Sequence, residues 1–159
     1  MSEPKWLTEA RRYIGEREIK GAQHNPLIVQ MWADIHRRGI DNDETPWCAA
    51  FVGSVLERTG IKSTRFESAG SYLGWGSQLL KPALGCVAVF TRQGGGHVGF
   101  VVGQNERGDL MVLGGNQSDA VNIRSFPRSR VSGYRWPVGV PDEPQALPLI
   151  NAEKSTSEA

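Results

Sequence analysis

The chain has 159 residues, a length that suggests one domain able to bury a core without disulfides or metals. Hydrophobic residues make up 39% and charged residues 22% of the sequence, the profile of a soluble globular protein. The net charge of +1 provides no global field that would favour nucleic acid, and no run of 18 apolar residues is available for membrane insertion. The N-terminus lacks the basic start and apolar stretch of a signal peptide, so we expect synthesis in the cytoplasm without ordinary secretory export.

The first half of the sequence is typical of helices. Asn25 followed by Pro26 is a strong helix start, because asparagine caps a helix and proline fits its first position. Thr45 and Pro46 repeat this signal before a buried apolar stripe. The helices predicted in this way cover residues 4–14, 26–38, 46–59 and, with a weaker pattern, 68–75.

From residue 82 onward the apolar period changes to two, which is typical of strands. Predicted strands cover residues 86–91, 97–103, 110–113, 120–126 and 133–136. The polar segment 104–109 predicts a hairpin between the second and third of them. Helices followed by an antiparallel meander predict an α+β fold, with N-terminal helices packed on a C-terminal antiparallel sheet. We expect one domain over residues 1–139 and a disordered tail over 140–159, which is polar and rich in proline.

Cys48 is the candidate nucleophile. If Thr45 caps the third helix, Cys48 is its third residue and faces the positive end of the helix dipole, which lowers the pKa of a thiol. The thiolate is the reactive form, and the same helix start can offer a main-chain amide to an oxyanion. The alternative is a small buried hydrophobe, as free cysteines commonly are. Cys86 begins a strand, with no helix dipole to lower its pKa, and is interpreted as structural or incidental.

His97 is the candidate base. It follows three glycines and begins a strand, and a histidine near neutral pH can take a proton from a cysteine and return it to a leaving amine. Asn116 lies at the end of the strand expected to pair with that of His97, where its amide oxygen can fix the tautomer of the imidazole. An ordinary turn asparagine explains Asn116 equally well, and Asp119 is a weaker candidate for the same role.

Other residues are candidates for a substrate groove or for a cofactor site. The cysteines and His97 match no zinc spacing, and no phosphate-binding glycine loop is present, so we expect neither metal nor cofactor. Each aromatic candidate for the groove can instead be core, and the acidic loop before Cys48 can be a solvated surface. The candidates for substrate contact are Trp47, Glu44, Tyr72, Trp75 and Gly96.

Three segments together resemble the CHAP and NlpC/P60 group of papain-like peptidoglycan hydrolases. They are TPWCAAFV at 45–52, GGGHVGFV at 94–101 and LGGNQ at 113–117, within a resemblance that covers roughly residues 20–137. It implies a papain-like fold and cleavage of amide bonds in the cell-wall peptide, including the bond between muramic acid and L-alanine. It implies Cys48 as nucleophile, His97 as base and Asn116 as the residue that orients the base.

The resemblance predicts a monomeric, endolysin-like peptidoglycan hydrolase that reaches the cell wall through a holin or a secretion system. Peptidoglycan is the expected partner, and neither nucleic acid nor membrane insertion is expected. Three alternatives stay open. One is a secreted antibacterial effector of the same chemistry, which would be accompanied by an immunity protein. The others are a non-catalytic cell-wall or protein-binding module and an acyl-transfer enzyme that acts on a different amide.

Overall fold

The structure, a computed structural model, describes residues 3–19, 24–37, 39–40, 46–92 and 95–150. Its helices are α1 (Lys5–Arg11), α2 (Pro26–Asp34) and α3 (Cys48–Arg58), with two 3₁₀ helices, η1 (Ala69–Gly74) and η2 (Arg128–Arg130). Its strands are β1 (Ser77–Leu79), β2 (Val87–Arg92), β3 (Gly95–Gln104), β4 (Leu110–Gly114), β5 (Asn122–Phe126) and β6 (Val131–Trp136). The α+β class is confirmed. Among the described helices, none is long and apolar enough to cross a membrane.

The six strands form one antiparallel sheet in the order β1-β6-β2-β3-β4-β5. Strands β2 to β5 are the predicted meander, and the predicted hairpin joins β3 to β4. In that hairpin, the Asn105 side chain accepts hydrogen bonds from the main-chain amides of Arg107 and Asp109. The last strand does not extend the meander, because β6 returns to pair with β2 and the short β1, a strand that the sequence pattern did not predict.

Helix α3 lies at the centre of the molecule. Its first nine residues are all buried, because α1, α2, β3 and β4 pack around it. The Phe51 ring contacts Tyr13, just after α1, and Phe100 of β3 edge-on, with centroids 6.5 and 6.2 Å apart. Gly53 allows the close approach of α2, since a Cβ there would lie 2.5 Å from the Ile35 side chain. The helix is therefore a core element rather than a surface helix with one apolar stripe.

Two helix boundaries differ from the prediction. The start of α2 is confirmed, since the Asn25 side chain accepts from the main-chain amide of Leu27 at 2.9 Å. It ends at Asp34, before His36, whose φ of 64° interrupts helical geometry. Helix α3 begins at Cys48, which is therefore its first residue and not its third. Thr45, the expected cap, lies outside the described residues.

Residues 140–150, the first part of the predicted tail, lie beside the sheet. Gln104 donates its main-chain amide to Pro148 and accepts from the amide of Ile150, both at 2.9 Å. Gly103 makes this approach possible, since a Cβ there would lie 2.8 Å from the Pro148 carbonyl oxygen. Leu147 and Ile150 pack against the core, so main-chain pairing and a few apolar side chains order a segment whose composition predicts disorder. Residues 151–159 lie outside the described part of the chain.

A partly buried polar cluster around Asp34 connects the helices. Its carboxylate accepts from Ser54 at 2.6 Å, from Arg58 at 2.9 Å and from Gln30 at 3.0 Å. Arg58 also donates to the hydroxyl of Tyr13, in the turn that follows α1, at 2.7 Å. Burial alone raises the pKa of Asp34, but the hydrogen bonds from Gln30, Ser54 and Arg58 outweigh burial and hold that pKa below its usual value.

We predict that Asp34→Asn lowers the free energy of unfolding at pH 7 by about 1–3 kcal/mol, the usual cost of losing hydrogen bonds to a charged group. Because folding lowers the pKa of Asp34, its carboxylate stabilises the fold above the unfolded-state pKa of about 3.9. This stabilisation disappears as the pH falls through the folded-state pKa. Urea denaturation at pH 7 and in acid measures both effects.

The matched control is Asp109→Asn. Asp109 pairs with the exposed Arg107 at 3.6 Å, and such surface pairs contribute under about 1 kcal/mol. Equal losses for the two variants, or a loss for Asp34→Asn that persists unchanged in acid, would contradict the prediction.

Candidate active site

Cys48 lies at the start of α3, forms no disulfide and is 7% exposed. The first bond within the helix runs from the Phe51 amide to the Trp47 carbonyl at 2.9 Å. The main-chain amides of residues 48–50 therefore precede any intrahelical acceptor, and amides in this position favour negative charge nearby. Trp47 anchors this start, since its indole donates to the Glu18 carboxylate at 2.9 Å. Trp47 is fully buried, and its predicted contact with substrate stays a prediction.

His97 lies in β3, and only 4% of it is exposed. Its ring Nε2 lies 2.8 Å from Oε1 of Gln117. Phe90, its partner on β2, and Phe126 of β5 pack on the imidazole with centroid distances of 6.0 and 5.5 Å. Arg130 in turn covers the Phe126 ring at 5.7 Å. The imidazole is therefore held in one plane by aromatic neighbours and in one rotation by Gln117.

The contacts of Gln117 determine which nitrogen of His97 carries a proton. Its Nε2 donates to the main-chain carbonyl of Asn122 at 2.9 Å and lies 3.3 Å from that of Val112. Main-chain carbonyls only accept, so this end of the amide is the NH₂ group, and Oε1 faces the imidazole. Because Oε1 can only accept, Nε2 of His97 must be the donor. In neutral His97 the lone pair then belongs to Nδ1, which is the nitrogen able to act as a base.

Gly114 lies beside His97, and Gly115 lies beside the start of α3. A Cβ on Gly114 would lie 2.5 Å from Oε1 of Gln117 and 3.1 Å from Nε2 of His97. A Cβ on Gly115 would lie 2.7 Å from both the Phe51 Cβ and the Trp47 ring. The His97–Gln117 pair and the first turn of α3 thus lie against neighbouring glycines. Gly114 and Gly115 are thus in contact with the His97–Gln117 pair and with the start of α3, respectively.

The proposed role of Asn116 stays a prediction, because the contact described for Nε2 of His97 is with its neighbour Gln117. Phe100 pairs with Leu113, and this register, continued, would place Asn116 opposite His97. The strand ends at Gly114 and Asn116 has a φ of 60°, so the pairing stops. Strand alternation favoured Asn116 for this reason, and no periodic signal in the sequence marked Gln117.

The rival candidate Asp119 is exposed, with a φ of 62°. Its main-chain carbonyl accepts from the amide of Glu18 at 3.0 Å. The structure therefore gives Asp119 a place in the turn after β4 through its backbone, and its orienting role also stays a prediction.

Tyr72 and Trp75 do not line the Cys48 end of the helix. Tyr72 is buried beside Gly53 in the middle of α3, and burial raises its pKa to about 12. Trp75 donates to the carbonyl of Lys62, beyond the opposite end of α3, and lines a cavity of about 310 Å³ there. An 11-residue helix is about 16 Å long, so Trp75 is remote from Cys48. Their predicted contact with substrate stays a prediction.

The remaining groove candidates are Gly96 and Glu44. Gly96 has a packing reason for lacking a side chain, because a Cβ would lie 3.0 Å from the Phe90 carbonyl oxygen and 3.6 Å from the Ala69 Cβ. Its contact with substrate stays a prediction. Glu44 lies outside the described residues.

Cys86 is fully buried, and burial raises the pKa of its thiol to about 12. Its sulfur accepts from the main-chain amide of Ala83 at 3.5 Å. A buried, protonated thiol is a poor nucleophile, which agrees with the structural interpretation of this residue. In the part of the chain that the structure describes, no three histidine, cysteine or acidic side chains are grouped to hold a metal ion.

We predict that Gly115→Ala destabilises the protein by about 1–3 kcal/mol, since the added methyl would overlap Trp47 and the rigid Cβ of Phe51. Gly74→Ala is the matched control, because Gly74 is exposed and a Cβ there meets no atom within 4 Å. Thermal unfolding of both variants measures the difference. Similar melting temperatures for the two would show that the dipeptide does not pack as closely as described.

Residues 40–116 match the family model of the CHAP domain. The match spans Cys48, His97 and Asn116 and ends one residue before Gln117. No curated protein matches the chain. The helix that begins at Cys48 and all of the His97 strand lie within the matched residues, and this match supports the assignment of the chain as a CHAP-domain protein.

Proposed function

We propose that this protein hydrolyses amide bonds in the cell-wall peptide of peptidoglycan, with Cys48 as nucleophile and His97 as base. CHAP domains are typically cysteine- and histidine-dependent amidases or peptidases, and the family implies peptidoglycan as substrate. The observation that carries the assignment is the 2.8 Å contact between His97 and Gln117, because it leaves the lone pair on Nδ1 of a buried histidine. The bond cut is that of an endopeptidase or of an N-acetylmuramoyl-L-alanine amidase.

In the acylation step, Nδ1 of His97 takes the proton of the Cys48 thiol. The thiolate sulfur then attacks the carbonyl carbon of the substrate amide and forms a tetrahedral oxyanion. Main-chain amides at the start of α3 can donate hydrogen bonds to that oxyanion. The C–N bond breaks as the imidazolium returns its proton to the departing amine, which leaves a thioester on Cys48.

In the deacylation step, water attacks the thioester while Nδ1 of His97 takes a proton from it. The C–S bond breaks, the acyl group leaves as a carboxylic acid, and the Cys48 thiol is regenerated. Through both steps the Nε2–H of His97 stays bonded to Oε1 of Gln117. This bond keeps Nδ1 directed at the reaction and stabilises the imidazolium that forms twice in each turnover.

The setting that we propose is the cell wall, reached after release through a phage holin. A secreted effector of the same chemistry is the alternative, and a gene for an immunity protein beside this one would favour it. Sequencing of the flanking genes separates these settings without bearing on the chemistry.

We predict that Cys48→Ala abolishes release of new amino groups from purified peptidoglycan, a loss of about 10⁴-fold or more, because no other side chain can form the thioester. His97→Ala should lose about 10²–10⁴-fold for want of a base. Cys86→Ala is the matched control and should retain activity, since Cys86 is buried in the core. Mass spectrometry of the digested sacculi identifies the bond that is cut.

Equal amine release by the wild type and by Cys48→Ala would refute the assigned nucleophile. An absence of release by every variant would favour the non-catalytic module, and alkylation by iodoacetamide tests that outcome. An activated thiolate at Cys48 should be labelled quickly below pH 7, whereas a binding module should react at the ordinary rate of a thiol.

We predict that Gln117→Leu lowers kcat by about 10–100-fold, since a misdirected imidazole costs about that much. Asn116→Gly should leave kcat nearly unchanged, because glycine adopts the φ of 60° without strain and removes only the asparagine side chain. The reverse result, with Asn116→Gly impaired and Gln117→Leu active, would restore Asn116 as the orienting residue.

A further inference from the structure

One buried side chain on β5, that of Asn122, holds Gln117 at two points. Asn122 is 1% exposed. Its Nδ2 donates to the main-chain carbonyl of Gln117 at 2.8 Å, and its Oδ1 accepts from Nε2 of the Gln117 side chain at 2.8 Å. We propose that Asn122 is a positioning residue that fixes the Gln117 amide and, through it, the tautomer of His97. Its effect on turnover rests on the proposed function, whereas its effect on the tautomer does not.

The polarity of the pair is determined by main-chain groups alone. The Gln117 carbonyl only accepts, so the Asn122 amide must present Nδ2 to it and Oδ1 to the Gln117 side chain. A reversed Asn122 would place two oxygens together at one contact and two NH₂ groups together at the other. A reversed Gln117 would put its NH₂ group against Nε2 of His97 and favour a proton on Nδ1. Asn122 therefore opposes the tautomer that would disable the base.

Asn122 also anchors a strained turn. Asn116, Ser118 and Asp119 have φ values of 60°, 55° and 62°, in the left-handed region that costs a residue with a side chain about 1 kcal/mol. Gln117 lies within this run. Its main-chain amide donates to Ala120 at 3.0 Å, and its carbonyl is held by Asn122. Without the Asn122 side chain, the strained turn would be held at Gln117 only by the hydrogen bond from its main-chain amide to Ala120.

The sheet register explains why Asn122 can reach Gln117. Asn122 pairs with Gly114 across the β4–β5 ladder. Gly114 has no side chain, and a Cβ there would overlap Oε1 of Gln117. Phe126, four residues further along β5, lies on the same face of the strand and stacks on His97 at 5.5 Å. Strand β5, which follows the residues that match the family model, thus holds the histidine through both Gln117 and Phe126.

The test compares Asn122→Ala with Asn105→Ala. Asn105 is also a buried asparagine whose side chain makes two hydrogen bonds, but it lies in the β3–β4 hairpin. We expect Asn122→Ala to lower kcat on peptidoglycan by about 10–100-fold with little change in KM, as for a misoriented catalytic group. In ¹⁵N NMR spectra, neutral His97 should be a single Nε2–H tautomer in the wild type and a mixture in Asn122→Ala. Asn105→Ala should lose stability but keep both kcat and the single tautomer.

An unchanged kcat and a single tautomer in folded Asn122→Ala would overturn the proposal. So would a wild-type protein whose neutral His97 carries its proton on Nδ1, a measurement that needs no variant if Asn122→Ala does not fold. A wild type without activity on peptidoglycan would refute the proposed function alone, because the tautomer measurement decides the role of Asn122 independently of substrate.

Discussion

The two ends of an amide group are chemically different, and much of this site depends on which end of Gln117 faces His97. One end donates to the main chain of β5, so the other end must accept from the imidazole. The backbone of the sheet thereby determines which nitrogen of the buried His97 ring carries the proton. A histidine on an exposed loop would exchange its tautomers freely in water, and some of its encounters with a thiol would present the protonated nitrogen.

The site also depends on the close packing of α3 against the end of β4. Gly115 lies against Trp47 and Phe51, while Gly114 leaves room for Gln117, so adjacent glycines serve the helix and the histidine separately. Because α3 is buried all round, its N-terminus cannot shift without disturbing the core. The thiol and the imidazole come from segments about 50 residues apart in the sequence. Their relative position is fixed because α3 and β3 are both rigid elements.

Sequence patterns predicted the elements with local signals. Asn25 and Pro26 mark a helix start that the structure confirms, and alternation predicted the paired strands of the meander. Sequence patterns and the structure differ where long-range contacts determine the conformation of the chain. Left-handed geometry at Asn116 ended a register that alternation would continue, and main-chain pairing with Gln104 ordered a proline-rich segment. Burial of Trp47 depends on Glu18, whose position no local pattern reveals.

The burial of Cys86 has a consequence for the chemistry of oxidation. The chain has two cysteines, and many thiol proteins use a second cysteine to reduce a sulfenic acid by forming an internal disulfide. The Cys86 thiol is fully buried and stays protonated at any physiological pH, so it is neither accessible nor nucleophilic enough for that role. A sulfenic acid on Cys48 would therefore have no resolving partner within the molecule. Its recovery would depend on a small thiol from the surroundings, and sustained peroxide would drive Cys48 to irreversible oxidation.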